Sequence, residues 1–302
     1  NLNFASDIKS SLVQPHYVVS GTEVNEPIES MPGIFRQSVD VLCQTIADDM
    51  ALGITSHMLF AVVDSHDKDS TASMASSANM PLQQAVTKLK QTYGGEIVVM
   101  TDVCLCTATD HGHCGIVHDE EIDNDLTIAE LVKISLSHAK AGADYVSASD
   151  MMDGRVKAIR KGLELEGFTS TGILSYSVKY ASSFYGPFRD AVGSKKALKG
   201  DKKTYQMDFS NIDEALREVA LDIREGADMV MVKPGLPYID VIKEVKNKFK
   251  IPVLAYQVSG EYSLISNAIK NKILSNDAIY ETLLSFKRAG ANAIITYYAD
   301  YI

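Results

Sequence analysis

The feature that most constrains this chain is an alternation. Eight short apolar runs occur along it, and each but the last is followed by a stretch compatible with a helix. The runs are HYVVS (16–20), MLFAVV (58–63), EIVVMTDVCL (96–105), YVSAS (145–149), GILSYS (172–177), MVMVK (229–233), VLAYQ (253–257) and AIITYY (293–298). Helical patterns cover about Ser38 to Leu52, with Ser38 as N-cap and Gly53 as stop, and Pro81 to Tyr93. Others cover 127–141, 153–166, 211–225, 237–248 and 261–289, the last broken near Ser275-Asn276. Strands that alternate with helices in this way require a parallel sheet, because only a crossover brings consecutive parallel strands side by side.

Three helix-to-strand junctions share one form: Ala141-Gly142-Ala143-Asp144, Glu225-Gly226-Ala227-Asp228 and Ala289-Gly290-Ala291-Asn292. Glycine there takes the left-handed cap, and a strand begins at once. Such repetition fits equivalent βα units in a barrel, although an open doubly wound sheet uses similar junctions. The dinucleotide-binding glycine fingerprint is absent after the first run, which counts against the open sheet. The expected architecture is α/β, a (β/α)8 TIM barrel over 16–302 preceded by an N-terminal arm, 1–15. The last run lies so near the final residue that the closing helix should be short or missing. The chain opens at Asn1 rather than a methionine, which leaves room for a preceding segment.

In such barrels chemistry gathers where the strands end. Read in that way, the sequence places Asp102, Cys104 and Cys106 after the third run and Ser149 and Asp150 after the fourth. Lys179 follows the fifth, Lys233 ends the sixth, Ser259 follows the seventh and Tyr297 ends the eighth. Lys233 comes after MVMV, so its stem should lie against the interior. Desolvation there lowers an amine's pKa and yields the neutral nucleophile that a Schiff base needs, and a second ammonium at Lys179 would lower it further. The plain alternative is two lysines snorkelling to solvent.

Cys104, Cys106 and Cys114 fall within eleven positions, too clustered for a secreted disulfide framework. Three thiolates with an open fourth position describe a catalytic zinc site, with His111 and His113 as alternative fourth ligands. Buried free thiols are the competing reading, and a redox pair is disfavoured because its cysteines usually have two residues between them. The excursion 180–210 carries FYGPFRD (184–190) and GDKKTYQ (200–206). Phe184, Tyr185 and Phe188 around Arg189, followed by Lys202, Lys203 and Gln206, suit a lid over an anionic substrate, although a solvated basic loop would look similar.

A net charge of −10 argues against non-specific nucleic-acid binding. No apolar run approaches the roughly 20 residues that cross a bilayer, and no signal-peptide pattern opens the chain, so a cytoplasmic location is expected and no membrane partner.

Several strings together resemble one family. SMPGIFR (30–36), TDVCLC with HGHCG (101–115), SDMMDGRV (149–156), SYSVKYASSFYGPFRDA (175–191), GADMVMVKPGLPY (226–238), YQVSGEY (256–262) and ITYY (295–298) resemble porphobilinogen synthase, also called 5-aminolevulinate dehydratase. The resemblance runs in order from about residue 15 to the end. It implies a lyase of heme biosynthesis that condenses two 5-aminolevulinate molecules to porphobilinogen. Lys233 matches the Schiff-base lysine for the propionate-side substrate, and Lys179 the lysine for the acetate side. Cys104, Cys106 and Cys114 match the zinc ligands of the zinc-dependent branch, while Asp102, Ser149 and Asp150 match polar catalytic positions. Arg189, Lys202 and Gln206 match groups around the acetate-side carboxylate, and Ser259 and Tyr297 those around the propionate side. Glu218 matches a glutamate that supports an allosteric magnesium between subunits of a homo-octamer, which exchanges with dimer and hexamer forms.

The sequence departs from the family at TATDHGH (107–113), where Asp110 adds an acid beside the zinc loop. It departs also at Lys202, where arginine is common, and at AVVDSHDKDS (61–70), where His66 and Asp67 add metal-binding groups. Two rivals make different demands. A class I aldolase would need one lysine and no metal, whereas a non-catalytic zinc scaffold would need neither lysine.

Overall fold

The computed structural model describes residues 8–193, 198 and 200–302. Eight parallel strands form a closed barrel: β1 (Leu12–Val18), β2 (Ser56–Ala61), β3 (Val98–Val103), β4 (Tyr145–Ala148), β5 (Gly172–Lys179), β6 (Met229–Lys233), β7 (Val253–Tyr256) and β8 (Ala293–Ile295). Each pairs with its neighbour in sequence, and β8 returns to β1 through Leu12 opposite Ile294 and Val13 opposite Ile295. Closure removes both sheet edges, and helices cover the outside, so the strands are buried on both faces.

Seven crossovers carry α1 (Val39–Ala51), α2 (Pro81–Tyr93), α3 (Asn124–Ala141), α4 (Arg155–Leu165), α5 (Asp213–Glu225), α6 (Ile239–Phe249) and the pair α7 (Ser259–Lys270) and α8 (Asp277–Ala289). The break expected near Ser275-Asn276 is the gap between α7 and α8. At the three repeated junctions, Gly142, Gly226 and Gly290 have φ of 106°, 109° and 109°, the left-handed cap that lets the next strand start at once. Ser38 does precede α1, but its hydroxyl donates to Asp40 and accepts from the Val24 amide instead of capping.

The expected boundary between arm and barrel is corrected. β1 begins at Leu12, not at residue 16, and all seven of its residues are buried. Pro15, which has no N–H to donate, and polar Gln14 mask the start of this strand in the sequence. Residues 1–7 of the expected arm lie outside the described residues. After β8 the described chain makes one turn of 3₁₀ helix, Ala299–Tyr301. Among the described residues no helix is long and apolar enough to cross a membrane.

Two insertions shape the carboxyl end of the barrel. The loop after β3 holds the cysteines and a small hairpin, Ile116–His118 with Glu121–Asp123. The excursion after β5 folds as a 3₁₀ turn, Ser183–Tyr185, and a short helix, Gly186–Ala191, and then rejoins the barrel where Tyr180 bridges to Met207.

Candidate active site

β5 and β6 deliver the two lysines to one place. Their ladder sets Val230 opposite Ser175 but Val232 opposite Val178, so β5 holds one extra residue between those points. Tyr176 and Lys179 are three residues apart and would face opposite sides of a regular strand. The irregularity turns both toward the mouth and leaves Lys179 directly across from Lys233. The Tyr176 ring lies 4.9 Å from Lys233 Nζ and 5.7 Å from Lys179 Nζ.

Lys233 is enclosed by aromatic faces. Its Nζ lies 4.4 Å from the Tyr256 ring centre, 5.1 Å from Phe188 and 5.5 Å from Tyr185. Burial first, and then the Lys179 charge, lower its pKa from 10.5 to about 7, against a smaller opposing pull from Asp102. Lys179 is buried beside it and donates to the Ser149 carbonyl. Asp102, at the end of β3, feels both lysines. Burial raises its carboxyl above the ordinary range, and the lysines offset this only in part.

Asp150 belongs to a neighbouring network. It accepts from the Met152 amide at 2.7 Å and lies 3.6 Å from Arg155, which also pairs with Asp222 at 3.2 Å. Burial pushes Asp150 up to about 6 against the pull of Arg155. Among the described residues its contacts are therefore with the turn into α4 and with Arg155.

The three cysteines converge. Their Sγ atoms lie within 4.8 Å of one another, with Cys104 and Cys106 at 3.3 Å, and all three are free and buried. Three sulfurs about 2.3 Å from one ion would be about 3.8 Å apart in a tetrahedron, so this donor set fits zinc with one position open. Hydrogen bonds from the other two thiols hold Cys114 well below the usual thiol range, and Lys202 donates to its sulfur at 3.2 Å. Burial pulls the Lys202 ammonium down, but the surrounding sulfurs raise it overall. Neither expected histidine joins the cluster. His113 Nδ1 is 3.1 Å from the Tyr205 hydroxyl, and His111 Nε2 is 3.2 Å from the Ser70 carbonyl. Asp64, His66 and Asp67 do gather, but in solvent.

The lid is docked on the amino end of α7. Ser259 Oγ accepts from the Phe188 amide at 2.9 Å and is 3.5 Å from the Phe184 carbonyl. A methyl group on Gly260 would come within 2.4 Å of that carbonyl oxygen, so the close approach needs glycine. These contacts seat Phe188 over Lys233. Arg189 is half-buried, and among the described residues no hydrogen bond or ion pair occupies its guanidinium. Tyr297 hydrogen-bonds to Tyr17 at 2.6 Å and to Tyr256 at 3.1 Å, a trio beside the amine.

A delta-aminolevulinic acid dehydratase family model matches residues 5–302. The chain belongs to that family. It is similar to the dehydratase of Methanothermus sociabilis, with 53% identity over 97% of this chain and 90% of that protein. The Bacillus subtilis dehydratase is 46% identical over 96% of this chain and 89% of its own length. A crystal structure of the Toxoplasma gondii dehydratase, in complex with the reaction product porphobilinogen, superposes with a TM-score of 0.95 at 46% identity, covering 97% of this chain and 84% of that one. As a dehydratase-family member the chain is a lyase of the porphyrin pathway on a TIM barrel.

Several residues around the lysine mouth were not singled out from the sequence. Tyr17, Tyr176 and Tyr256 read as ordinary strand tyrosines; their nearness to strand ends was the available signal. Glu261 was also missed. Buried at the start of α7, it accepts from the amides of Leu236 (2.6 Å), Val258 (2.6 Å) and Gly235 (3.3 Å), so it ties the turn after Lys233 to β7. Glu218 lies on α5 along an outer groove of about 1770 Å³ with Asp153, Asp222 and both loop histidines, and neither lysine lines that groove.

Proposed function

We propose that this chain joins two molecules of 5-aminolevulinate into porphobilinogen with loss of two waters, one substrate held as an imine on Lys233 and the other on Lys179. One observation carries the assignment: two buried lysines face each other across β5 and β6, one of them desolvated to about 7. The neutral Lys233 amine attacks a ketone carbon. Asp102, its carboxyl raised by burial, gives a proton to the departing oxygen, so water leaves as the C=N bond forms. Lys179 does the same for the second molecule, with the Ser149 carbonyl fixing its amine.

Two substrates anchored at one mouth react as if they were a single molecule, which removes much of the entropic barrier. One carbon–carbon and one carbon–nitrogen bond then form, a ring proton is lost and both lysines are released. Arg189, paired with no described residue, takes the acetate-side carboxylate together with Gln206 and Lys202. Ser259 and Tyr297 take the propionate side, and Phe184 and Phe188 exclude water above the amine. Cys104, Cys106 and Cys114 would hold zinc, which supplies a Lewis acid beside the acetate-side substrate when bound.

In the same reading Glu218 supports an allosteric magnesium that favours a homo-octamer over dimer and hexamer. Four free cysteines suit a reducing cytoplasm, and the acidic charge suits small-molecule substrates over nucleic acid. A pyrrole-forming assay with 5-aminolevulinate tests the function. Turnover that a chelator abolishes and zinc restores is expected; a folded, zinc-loaded protein that makes no pyrrole would contradict it.

A further inference from the structure

Outside the mouth, where α1 packs on β1 and β2, three buried side chains meet. His16 comes from β1, Asp49 from α1 and His57 from β2. His16 Nε2 is 3.1 Å from His57 Nδ1, and Asp49 Oδ2 lies 3.5 Å from the first and 3.8 Å from the second. None of the three residues is more than 5% exposed.

The protein alone does not satisfy this group. One proton serves the contact between the two rings. Asp49 Oδ2 then accepts no hydrogen bond, although it is buried and aimed at both nitrogens. Among the described residues no lysine or arginine pairs with Asp49, and the charged neighbours that act on it, Asp300 and Asp48, are also acids. Among the described residues His57 Nε2 has no partner either, so the ring's polar contacts there are those at the cluster. Interiors rarely leave a carboxylate oxygen without a donor, and a bound ion is one of the few explanations.

The spacing matches a metal. Ligand atoms about 2.0–2.1 Å from a tetrahedral ion are about 3.3 Å apart, and the three observed separations bracket that edge. Two imidazoles and one carboxylate suit zinc and its neighbours cobalt and nickel, whereas magnesium and calcium call for more oxygen ligands.

We propose that His16, Asp49 and His57 form a second metal site, for a zinc-class divalent cation, separate from the cysteines. It joins α1 to the first two barrel strands and leaves one coordination position for water. Cobalt titration of the metal-stripped Cys104→Ser/Cys106→Ser/Cys114→Ser protein tests it, because a nitrogen–oxygen site gives visible cobalt absorption without sulfur charge-transfer bands. One equivalent per chain with that spectrum is expected, together with a higher melting temperature on adding zinc. Adding Asp49→Asn should remove both signals. If that variant does not fold, His16→Leu in the same background, which keeps a buried side chain of similar size, must remove them. A folded triple variant that binds no cobalt, or whose cobalt signal survives the Asp49 or His16 substitution, overturns the proposal.

Discussion

Replacing Lys179 with methionine removes a charge but keeps an unbranched chain of similar length beside Lys233. An ordinary lysine with a pKa of 10.5 is neutral at pH 7 in about one molecule in three thousand. With its pKa lowered to about 7, Lys233 is neutral in about half, a gain of about a thousandfold in the reactive form. Burial supplies the larger share, and the Lys179 ammonium comes second. The sign follows directly: the neutral amine is the nucleophile, so imine formation should rise with pH through about 7 and level off above it. In Lys179→Met the aromatic enclosure stays but the neighbouring charge is gone. The midpoint should then move upward while staying below 10.5. Levulinate, the same keto acid without the amino group, isolates this step, and cyanoborohydride trapping read by intact mass gives its rate at each pH. A wild-type midpoint near 10, or an unmoved midpoint in the variant, would refute the desolvation argument.

Serine at Cys104, Cys106 and Cys114 together should abolish pyrrole formation without unfolding the barrel, since the three thiols lie in a loop; full activity in the metal-free variant would remove zinc from the account. Gly260→Ala drives a methyl group into the Phe184 backbone, so the lid must shift. Overpacking of this kind costs about 1–3 kcal/mol, and kcat/KM should fall at least tenfold with only a modest loss in Tm; unchanged kinetics would separate lid docking from catalysis. Sedimentation of wild type and Glu218→Ala with and without magnesium should show a larger assembly only for wild type with magnesium, and identical behaviour would end the allosteric role of Glu218.

The barrel was legible because its signals are local. Apolar runs, helical periodicity and glycine caps each report on neighbouring residues, so all eight strands and the α7–α8 break stood in the sequence. The start of β1 was hidden because Pro15 and Gln14 look unlike a strand, and only pairing on both sides makes them one. The lysines were legible for the same local reason: each ends an apolar run. Their sharing one mouth was expected from adjacent strand ends, but the extra residue in β5 that sets Lys179 directly across from Lys233 was not, since alternation alone cannot reveal it. Asp150 was legible as the neighbour of Ser149, but its contacts with Arg155 and the Met152 amide depend on how the turn into α4 folds. Glu261 was invisible because its role is to accept backbone amides from two other loops. The meeting of His16, Asp49 and His57 needs three separate elements to pack, and no spacing in the sequence encodes it.

The proposed chemistry depends on two lysines at one mouth anchoring two substrates. The measurement that reaches it most directly is borohydride reduction in the presence of 5-aminolevulinate, followed by peptide mass spectrometry. Reduced substrate covalently attached at Lys233 is expected, with a second attachment at Lys179 as substrate approaches saturation. Label at Lys233 should vanish in Lys233→Ala along with turnover. An enzyme that turns over normally while neither lysine carries label would contradict it.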